Sequence, residues 1–332
     1  MDADCGKEIE ENATAECCCA KDTAGCFFRV GQLDRVFITG ATGFIGSHLV
    51  DHLTQLGAVI SVLVREPSDR IFEKEPRVSI VKGDLRRPFV IGDATTVFHL
   101  AAITHVNRAL EDPQQTFETN TAGTISVLEA IRRSPSVHKL VFISTAHVYG
   151  APQYVPIDEA HPVHAHEPYA ASKLAAETFV SAYGSAYGIP IVIARLFNTY
   201  GPGQHPDFII PSIIRQALTQ DRLTMGNLSP TRDFTYVEDV IAALLRLADE
   251  GRGVYNVASG IEVSIKALVA RIGEILGKQL TVESQLSRHR SAGIEIERMW
   301  ADISRIKALG WQPNVKLVDG LTRTIAWYRK QL

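Results

Sequence analysis

Short apolar runs alternate with longer amphipathic stretches along residues 35 to 195. The run at residues 36–38 is followed by a stretch with helical apolar spacing that ends at Gly57, and a second run occupies residues 59–64. Apolar runs bounded by turn residues are typical of buried strands, and strands that alternate with helices form parallel sheets covered on both faces. The pattern predicts a doubly wound α/β fold, with strands at residues 35–39, 59–64, 78–81, 96–100, 139–144 and 189–195.

The pattern changes after Asn198. Prolines at positions 202, 206, 211 and 230 indicate loops in this part of the chain. Ser264, a residue type that favours helix starts, precedes a stretch whose apolar positions share one helical face. We predict a smaller C-terminal lobe, with one helix that presents Ile265, Leu268, Val269, Ile272, Ile275 and Leu276 on a single face.

Three glycines, Gly40, Gly43 and Gly46, stand between the first apolar run and the amphipathic stretch. Glycine permits a tight turn and lets backbone N–H groups approach a pyrophosphate, which the N-terminus of the following helix also attracts. The second strand candidate follows at the distance expected of a strand–helix–strand unit. This order predicts a dinucleotide-binding turn.

Arg65 closes the second strand candidate, at the place where a carboxylate usually accepts hydrogen bonds from the adenosine ribose. An arginine can instead pair with a 2′-phosphate. Arg65 therefore favours NADP(H) over NAD(H).

Tyr169 and Lys173 lie four residues apart, so that on a helix both side chains share one face. A neighbouring ammonium group favours the phenolate form of tyrosine and is expected to lower its pKa. A hydroxyl at Thr145 can donate to the oxygen that Tyr169 protonates or deprotonates, while hydride transfer is the task of a nicotinamide cofactor. These residues predict proton transfer coupled to redox chemistry.

Together these motifs resemble the extended short-chain dehydrogenase/reductase family, in its branch of sugar-nucleotide epimerases, dehydratases and reductases. The resemblance runs from about Arg35 to Trp311. It implies a Rossmann-type doubly wound parallel sheet with a smaller interleaved C-terminal substrate-binding lobe. The motif segments are 40–46, 83–85, 99–102, Asn120, 144–150, 169–173, 195–198, 200–203, 226–228, 232–239 and 255–258.

The resemblance also implies domain limits and residue roles. The dinucleotide-binding domain is expected to span 34–198 with about 236–257, and the nucleotide-sugar-binding lobe 199–235 and 258–332. The catalytic residues are expected to be Thr145, Tyr169 and Lys173, and the substrate-binding residues His147, Asn198, Arg232 and Arg298. The cofactor-binding residues are expected to be Gly40, Thr42, Gly43, Phe44, Ile45, Gly46, Arg65, Asp84, Leu85, Leu100, Ala101, Ala102, Asn120 and Lys173.

Ala146 and His147 bear on the choice of reaction. The 4,6-dehydratases of the family typically carry an Asp-Glu pair after the catalytic threonine, and alanine cannot transfer a proton. Dehydration is therefore disfavoured. The remaining alternatives are an NADPH-dependent NDP-4-keto-6-deoxyhexose reductase, which Arg65 favours, and an NDP-hexose 4-epimerase with tightly bound NAD. A non-catalytic NADP-binding protein is a further alternative, which the complete Thr145, Tyr169 and Lys173 set opposes.

His147 itself has three open interpretations: a proton donor, a specificity contact, or a structural histidine under a loop. The stretch with His161, His164 and His166 has no cysteine or acidic cluster at ligand spacing. No metal site is predicted there, and the predicted site residues include no metal ligand.

Composition is that of an ordinary enzyme. The 332 residues are 45% hydrophobic and carry a formal net charge of -3, so there is no basic bias towards nucleic acid. No apolar run approaches the roughly 20 residues of a membrane-spanning helix. We expect a cytoplasmic protein with a nucleotide-diphosphate sugar as substrate. The resemblance implies a homodimer formed by the helix after Pro113 and the helix that carries Tyr169.

All five cysteines lie in the first 26 residues. A disulfide framework is thereby excluded for the rest of the chain. Residues 1–33 are predicted to be a disordered extension. A redox-sensitive tail, a metal-binding appendage and an upstream start codon are the alternatives.

Overall fold

The computed structural model describes residues 33–65, 75–285 and 295–331. The predicted N-terminal extension lies, apart from Leu33, outside the described residues.

Seven parallel strands form the central sheet, in the order β10-β6-β5-β4-β1-β2-β3. The doubly wound α/β prediction is therefore confirmed, and each of the six predicted strands is present within two residues of its expected ends. The strands are β1 (Arg35–Thr39), β2 (Val59–Val64), β3 (Val78–Lys82), β4 (Thr96–His99), β5 (Lys139–Thr145), β6 (Ile191–Leu196) and β10 (Gly253–Val257).

Alternate residues of β1 enter separate cores on the two faces of this sheet. The helices of the sheet faces and connections are α1 (Phe44–Gln55), α2 (Val106–Glu111), α3 (Pro113–Phe117), α4 (Gly123–Arg132), α5 (Pro168–Tyr187), α7 (Val237–Glu250) and α9 (Ser304–Lys307). Val36 and Ile38 pack in one core with residues of α1 and α7, whereas Phe37 packs in the other core with residues of α4 and α5.

A smaller lobe has its own apolar core and its own sheets. The elements of this lobe are β7 (Asn198–Tyr200), α6 (Ile209–Thr219), β8 (Arg222–Met225), β9 (Thr231–Tyr236), β11 (Glu262–Ser264), α8 (Ile265–Leu276), β12 (Thr281–Ser284), β13 (Arg298–Met299) and α10 (Leu317–Arg329). Strand β9 lies in the middle of one sheet, antiparallel to β11 and parallel to both β7 and β13. Strands β8 and β12 form a separate parallel pair.

The chain passes between the two groups of strands more than once. It leaves the central sheet after β6, builds β7 to β9, and then returns through α7 to place β10 beside β6. It ends in the lobe with α10. This order interleaves the lobe with the sheet, although the residue limits of the two domains stay a prediction. Among the described helices none is both long and apolar enough to cross a membrane.

Candidate active site

A cavity of about 860 Å³ opens at the carboxyl ends of the central strands. The last residues of β1, β5 and β6, which are Thr39, Thr145 and Leu196, all line it, and lobe residues such as Phe234 and Met299 close its other side. Parallel strands direct their carboxyl ends to one edge of a sheet, which is where ligands bind in folds of this type. The cavity is therefore the candidate active site.

The glycine turn forms one wall of the cavity, between β1 and α1. Gly40 has a left-handed φ of 75°, and a Cβ on it would lie 2.6 Å from the backbone nitrogen of Ala101. No side chain caps the start of α1 at Gly43, so its first N–H groups remain available to an anion. Every residue of the turn that the sequence assigned to cofactor binding lines the cavity: Gly40, Thr42, Gly43, Phe44, Ile45 and Gly46.

Gly46→Ala tests this turn. The new Cβ would lie 2.0 Å from the carbonyl oxygen of Gly40, a backbone atom that cannot move without opening the turn. We expect dinucleotide binding to be lost and the free energy of unfolding to fall by about 1–3 kcal/mol, measured by fluorescence titration and by urea denaturation. Gly43→Ala is the milder control, because its Cβ would lie 3.2 Å from the same oxygen.

The part of the cavity near the ends of β2 and β3 is charged. Arg65, Asp84, Leu85 and Arg86 line it, at the ends of β2 and β3. Arg86 donates to both carboxylate oxygens of Asp84, at 3.1 Å and 2.7 Å, and these bonds lower the pKa of Asp84 to about 2. The sequence did not single out Arg86, although it follows Asp84 by only two residues. Two arginines therefore flank one ionised carboxylate where the adenosine half of a dinucleotide is expected.

Leu100, Ala101 and Ala102 line the cavity, whereas Asn120 does not. Asn120 is buried in a π-helical turn (Glu118–Ala122) between α3 and α4. Its side chain accepts from the nitrogen of Ile103 at 2.7 Å and donates to the carbonyl oxygen of Ile103 at 3.0 Å and to the hydroxyl of Ser172 at 2.9 Å. It thus fixes the loop after β4 to helix α5. In the structure Asn120 therefore positions the loop after β4, and direct contact between Asn120 and a cofactor stays a prediction.

Thr145 and Tyr169 meet at the cavity wall, where β5 ends and α5 begins. A hydrogen bond with Thr145 favours the phenolate of Tyr169, but burial outweighs it and raises the pKa of Tyr169 to about 12. The sequence-based expectation of a lowered tyrosine pKa is therefore wrong. Desolvation disfavours the charged phenolate more than the surrounding groups favour it.

Lys173 lies one helical turn below Tyr169 and is only 3% exposed. Its ammonium nitrogen is 4.2 Å from the centre of the Phe142 ring, and burial lowers its pKa to about 7. Glu177 opposes this shift from the next turn of α5, yet its carboxylate is bonded to Arg195 at 2.7 Å. Burial thus disfavours the charged form of Lys173, as it disfavours the phenolate of Tyr169.

His147 lines the cavity beside the same tyrosine, with the two ring centres 5.8 Å apart. Its Nδ1 atom lies 3.7 Å from the Oε1 atom of Glu167. Glu167 is buried and caps α5 by accepting from the backbone nitrogens of Tyr169 at 2.7 Å and Ala170 at 2.8 Å. The sequence analysis missed Glu167, whose place immediately before a helix-starting proline was the available signal. Helix α5 is thus anchored by a carboxylate that also faces His147.

The predicted substrate residues separate in the structure. Asn198 lines the cavity, but Arg232 and Arg298 do not. Arg232 donates to the carbonyl oxygens of Thr231 and Ile296, at 2.7 Å and 2.8 Å. Arg298 is bonded through two nitrogens to the Glu262 carboxylate, both at 2.7 Å. Local acceptors hold both guanidinium groups, so their roles as phosphate ligands stay predictions.

Gln204 is a cavity residue that sequence reasoning did not find. It is buried, its amide nitrogen donates to the carbonyl oxygen of Thr199 at 2.7 Å, and its Oε1 atom has no hydrogen-bond partner among the described residues. The hydroxyl of Ser144, also at the cavity, shares that condition. Buried polar atoms without partners are costly, which marks this part of the cavity wall as unusual.

His161, one of the three histidines in the stretch before α5, has structural surroundings. The Nε2 atom of His161 accepts from the backbone nitrogen of Gln153 at 2.9 Å, and the ring packs against Tyr149 and Tyr154. The cavity mouth carries a different histidine, His105, whose pKa is lowered by burial and then by the neighbouring His205.

A doubly wound parallel sheet, a glycine turn after its first strand and a Tyr-x-x-x-Lys helix beside one cavity define a nicotinamide-dependent enzyme of the short-chain type. A family model described as GDP-mannose 4,6 dehydratase matches residues 37–324. The GDP-6-deoxy-D-mannose reductase of Pseudomonas aeruginosa is 34% identical over 303 residues, which cover 86% of this chain and 94% of that protein. The chain belongs to the extended short-chain dehydrogenase/reductase family of sugar-nucleotide epimerases, dehydratases and reductases. The resemblance drawn from its motifs is thereby confirmed.

Solved structures of similar proteins contain either nicotinamide cofactor. The UDP-glucose 4-epimerase of Thermus thermophilus in complex with NAD has a TM-score of 0.80 at 31% identity, covering 90% of this chain and 100% of that chain. RMD from Pseudomonas aeruginosa complexed with NADPH has a TM-score of 0.77 at 31% identity, with the same coverage of both chains. The chain is therefore a nucleotide-sugar enzyme of the oxidoreductase and epimerase group.

Proposed function

We propose that the protein is an NADPH-dependent reductase of an NDP-4-keto-6-deoxyhexose. The observation that carries this choice is the pair Arg65 and Arg86 at one end of the cavity. The guanidinium group of Arg65 suits the additional phosphate of NADP(H), and Arg86, which is bonded to Asp84, would share its guanidinium group with that phosphate. The similarity to a GDP-6-deoxy-D-mannose reductase and to an NADPH-bound structure supports the same choice.

The chain's own residues supply proton transfer and orientation. The bound nicotinamide supplies hydride. Tyr169, protonated at neutral pH because its pKa is about 12, delivers its proton to the C4 oxygen, and the Thr145 hydroxyl donates a hydrogen bond to that oxygen. Lys173, with a pKa of about 7, can then return a proton to the phenolate. Binding of the sugar diphosphate is assigned to Asn198 at the cavity, with Arg232 and Arg298 as further candidates.

The second candidate is an NDP-hexose 4-epimerase with tightly bound NAD. The similarity to an NAD-bound UDP-glucose 4-epimerase favours it, and the same three catalytic residues would serve. A 4,6-dehydratase has less support, because Ala146 is buried and cannot move a proton. The complete Thr145, Tyr169 and Lys173 set also opposes a non-catalytic role.

The experiment that tests the reductase proposal is NADPH oxidation by purified protein in the presence of an NDP-4-keto-6-deoxyhexose. Stoichiometric loss of absorbance at the nicotinamide band, with release of a 4-hydroxy product, is the expected result. Interconversion of 4-epimeric NDP-hexoses without net oxidation of NADPH would support the epimerase instead.

Cofactor choice can be tested at the two arginines. The double variant Arg65→Ala with Arg86→Ala is expected to lower kcat/KM for NADPH by at least about tenfold to a hundredfold, which is the effect of losing one charge-assisted hydrogen bond of roughly 1.5–3 kcal/mol. The value for NADH should change little. Arg87→Ala is the matched control, because Arg87 is the exposed neighbour that does not line the cavity. Equal losses with both cofactors would contradict the assignment.

We further propose a homodimer formed through α4 and α5. Of the apolar residues that the sequence offered, Leu128 and Ile131 are buried in the sheet core, whereas Phe179 on α5 is 40% exposed. Tyr187, at the end of the same helix, is 54% exposed. Light scattering after size exclusion tests this proposal, and Phe179→Asp is expected to yield monomer. Separately, we propose that the protein is cytoplasmic.

A further inference from the structure

Three side chains with metal-ligating atoms converge at the mouth of the cavity. One donor atom each from His105, His205 and Asp207 lies within 4.8 Å of the other two. His105 and His205 are 100 residues apart in the sequence. His105 precedes α2, on the loop after β4, whereas His205 and Asp207 lie on the loop before α6. The cluster therefore joins a loop of the central sheet to a loop of the lobe, and His105 also lines the cavity.

Packing holds His105 in place, while His205 and Asp207 face it from the other loop. The rings of His105 and His205 are 4.9 Å apart between centres and nearly perpendicular, at 79°. His105 also packs on Phe208, with the centres 4.7 Å apart. The Nδ1 atom of His205 lies 3.5 Å from the Oδ2 atom of Asp207. A fixed imidazole from one loop thus faces an imidazole and a carboxylate from the other.

We propose that His105, His205 and Asp207 form a binding site for a divalent transition-metal ion of the Zn²⁺ class. Two imidazoles and a carboxylate are donors that Zn²⁺ accepts, at distances of about 2.0–2.2 Å. Reaching those distances requires the donors to move closer together. The side chains of His205 and Asp207, which are 56% and 74% exposed, can rotate to do so.

The bound ion would link the two loops across the cavity mouth. Three protein donors leave a position of a tetrahedral site open to solvent or to a ligand oxygen, which is the arrangement of sites that bind exchangeable groups. The inference does not depend on which reaction takes place at Thr145 and Tyr169, because none of the three donors belongs to that set.

The test is calorimetric titration of the full chain with Zn²⁺ alone, after alkylation of its cysteines with iodoacetamide. Alkylation is needed because all five cysteines lie in the first 26 residues and thiolates bind Zn²⁺ strongly. We expect saturable binding at one site per chain. His105→Gln, His205→Ala and Asp207→Asn should each raise the Kd for Zn²⁺ by about tenfold or more.

The matched control is His138→Gln. His138 is exposed and immediately precedes β5, at the end of that strand opposite to Thr145 and therefore roughly 20 Å from the cavity. This variant should bind Zn²⁺ with the affinity of the parent chain. Absence of saturable binding to the alkylated parent, or affinities unchanged in all three ligand variants, would overturn the proposal. Because His205 and Asp207 are exposed, their variants should keep the melting temperature of the parent in the presence of a chelator.

Discussion

Tyr169→Phe is expected to lower kcat by about 10²- to 10⁴-fold, the range that a positioned proton donor contributes. The variant loses a single oxygen atom, while the cavity wall and the packing of α5 remain. Binding of the dinucleotide should therefore be nearly unchanged, because the turn that contains Gly40 and Gly46 is untouched. Stopped-flow reduction and fluorescence titration would measure the two quantities separately.

Tyr183→Phe is the matched control for that experiment. Tyr183 lies on the same helix, and its hydroxyl donates to Glu129 at 3.0 Å, away from the cavity lining. Its variant should retain the kcat of the parent enzyme. If Tyr169→Phe also retained it, Tyr169 would not be the proton donor.

Lys173→Met is expected to abolish efficient turnover and yet to stabilise the folded protein at and below neutral pH. Burial lowers the pKa of Lys173 from 10.5 to about 7. Below that value the lysine is charged in both folded and unfolded chains, and the folded state bears the full desolvation cost, up to about 5 kcal/mol. Methionine fills a similar volume without charge.

The stability gained by Lys173→Met is expected to change with pH in one direction. Between about pH 7 and 10.5 the folded protein has released the lysine proton whereas the unfolded chain still holds it, so the parent gains stability as pH rises. The advantage of Lys173→Met should therefore be largest at pH 6 and shrink towards pH 10. Urea unfolding at several pH values measures it. Lys82→Met, at an exposed lysine on β3, should show no such trend, and a constant difference at all pH values would contradict the buried-lysine account.

Local sequence patterns were sufficient to predict the elements of the central sheet that line the cavity. Gly43 and Gly46 are required by the carbonyl oxygen of Gly40 a few residues away, Gly40 by its own left-handed φ of 75°, and helix α5 sets the four-residue spacing of Tyr169 and Lys173. The strands and their ends could be predicted because they depend on short-range periodicity. The sequence thus predicted most of the cavity wall that comes from the central sheet.

The substrate side could not be predicted in the same way, because its contacts join distant segments. Glu262 engages Arg298 from 36 residues away, through the pairing of β11 and β13 with β9. The meeting of His105 with His205 likewise depends on how the lobe folds over the sheet. The effect of burial on Tyr169 and Lys173 also escaped prediction, since desolvation is a property of the packed site and leaves no local pattern.

The most direct test of the central claim follows the hydride. Purified protein is incubated with NADPH that carries deuterium at C4 of the nicotinamide ring, on the transferred face, together with an NDP-4-keto-6-deoxyhexose. The account predicts one deuterium at C4 of the released sugar for each NADPH oxidised, detected by mass spectrometry and NMR. Protein that retains NAD through purification, interconverts 4-epimeric hexoses and leaves the label in added NADPH would contradict the reductase assignment.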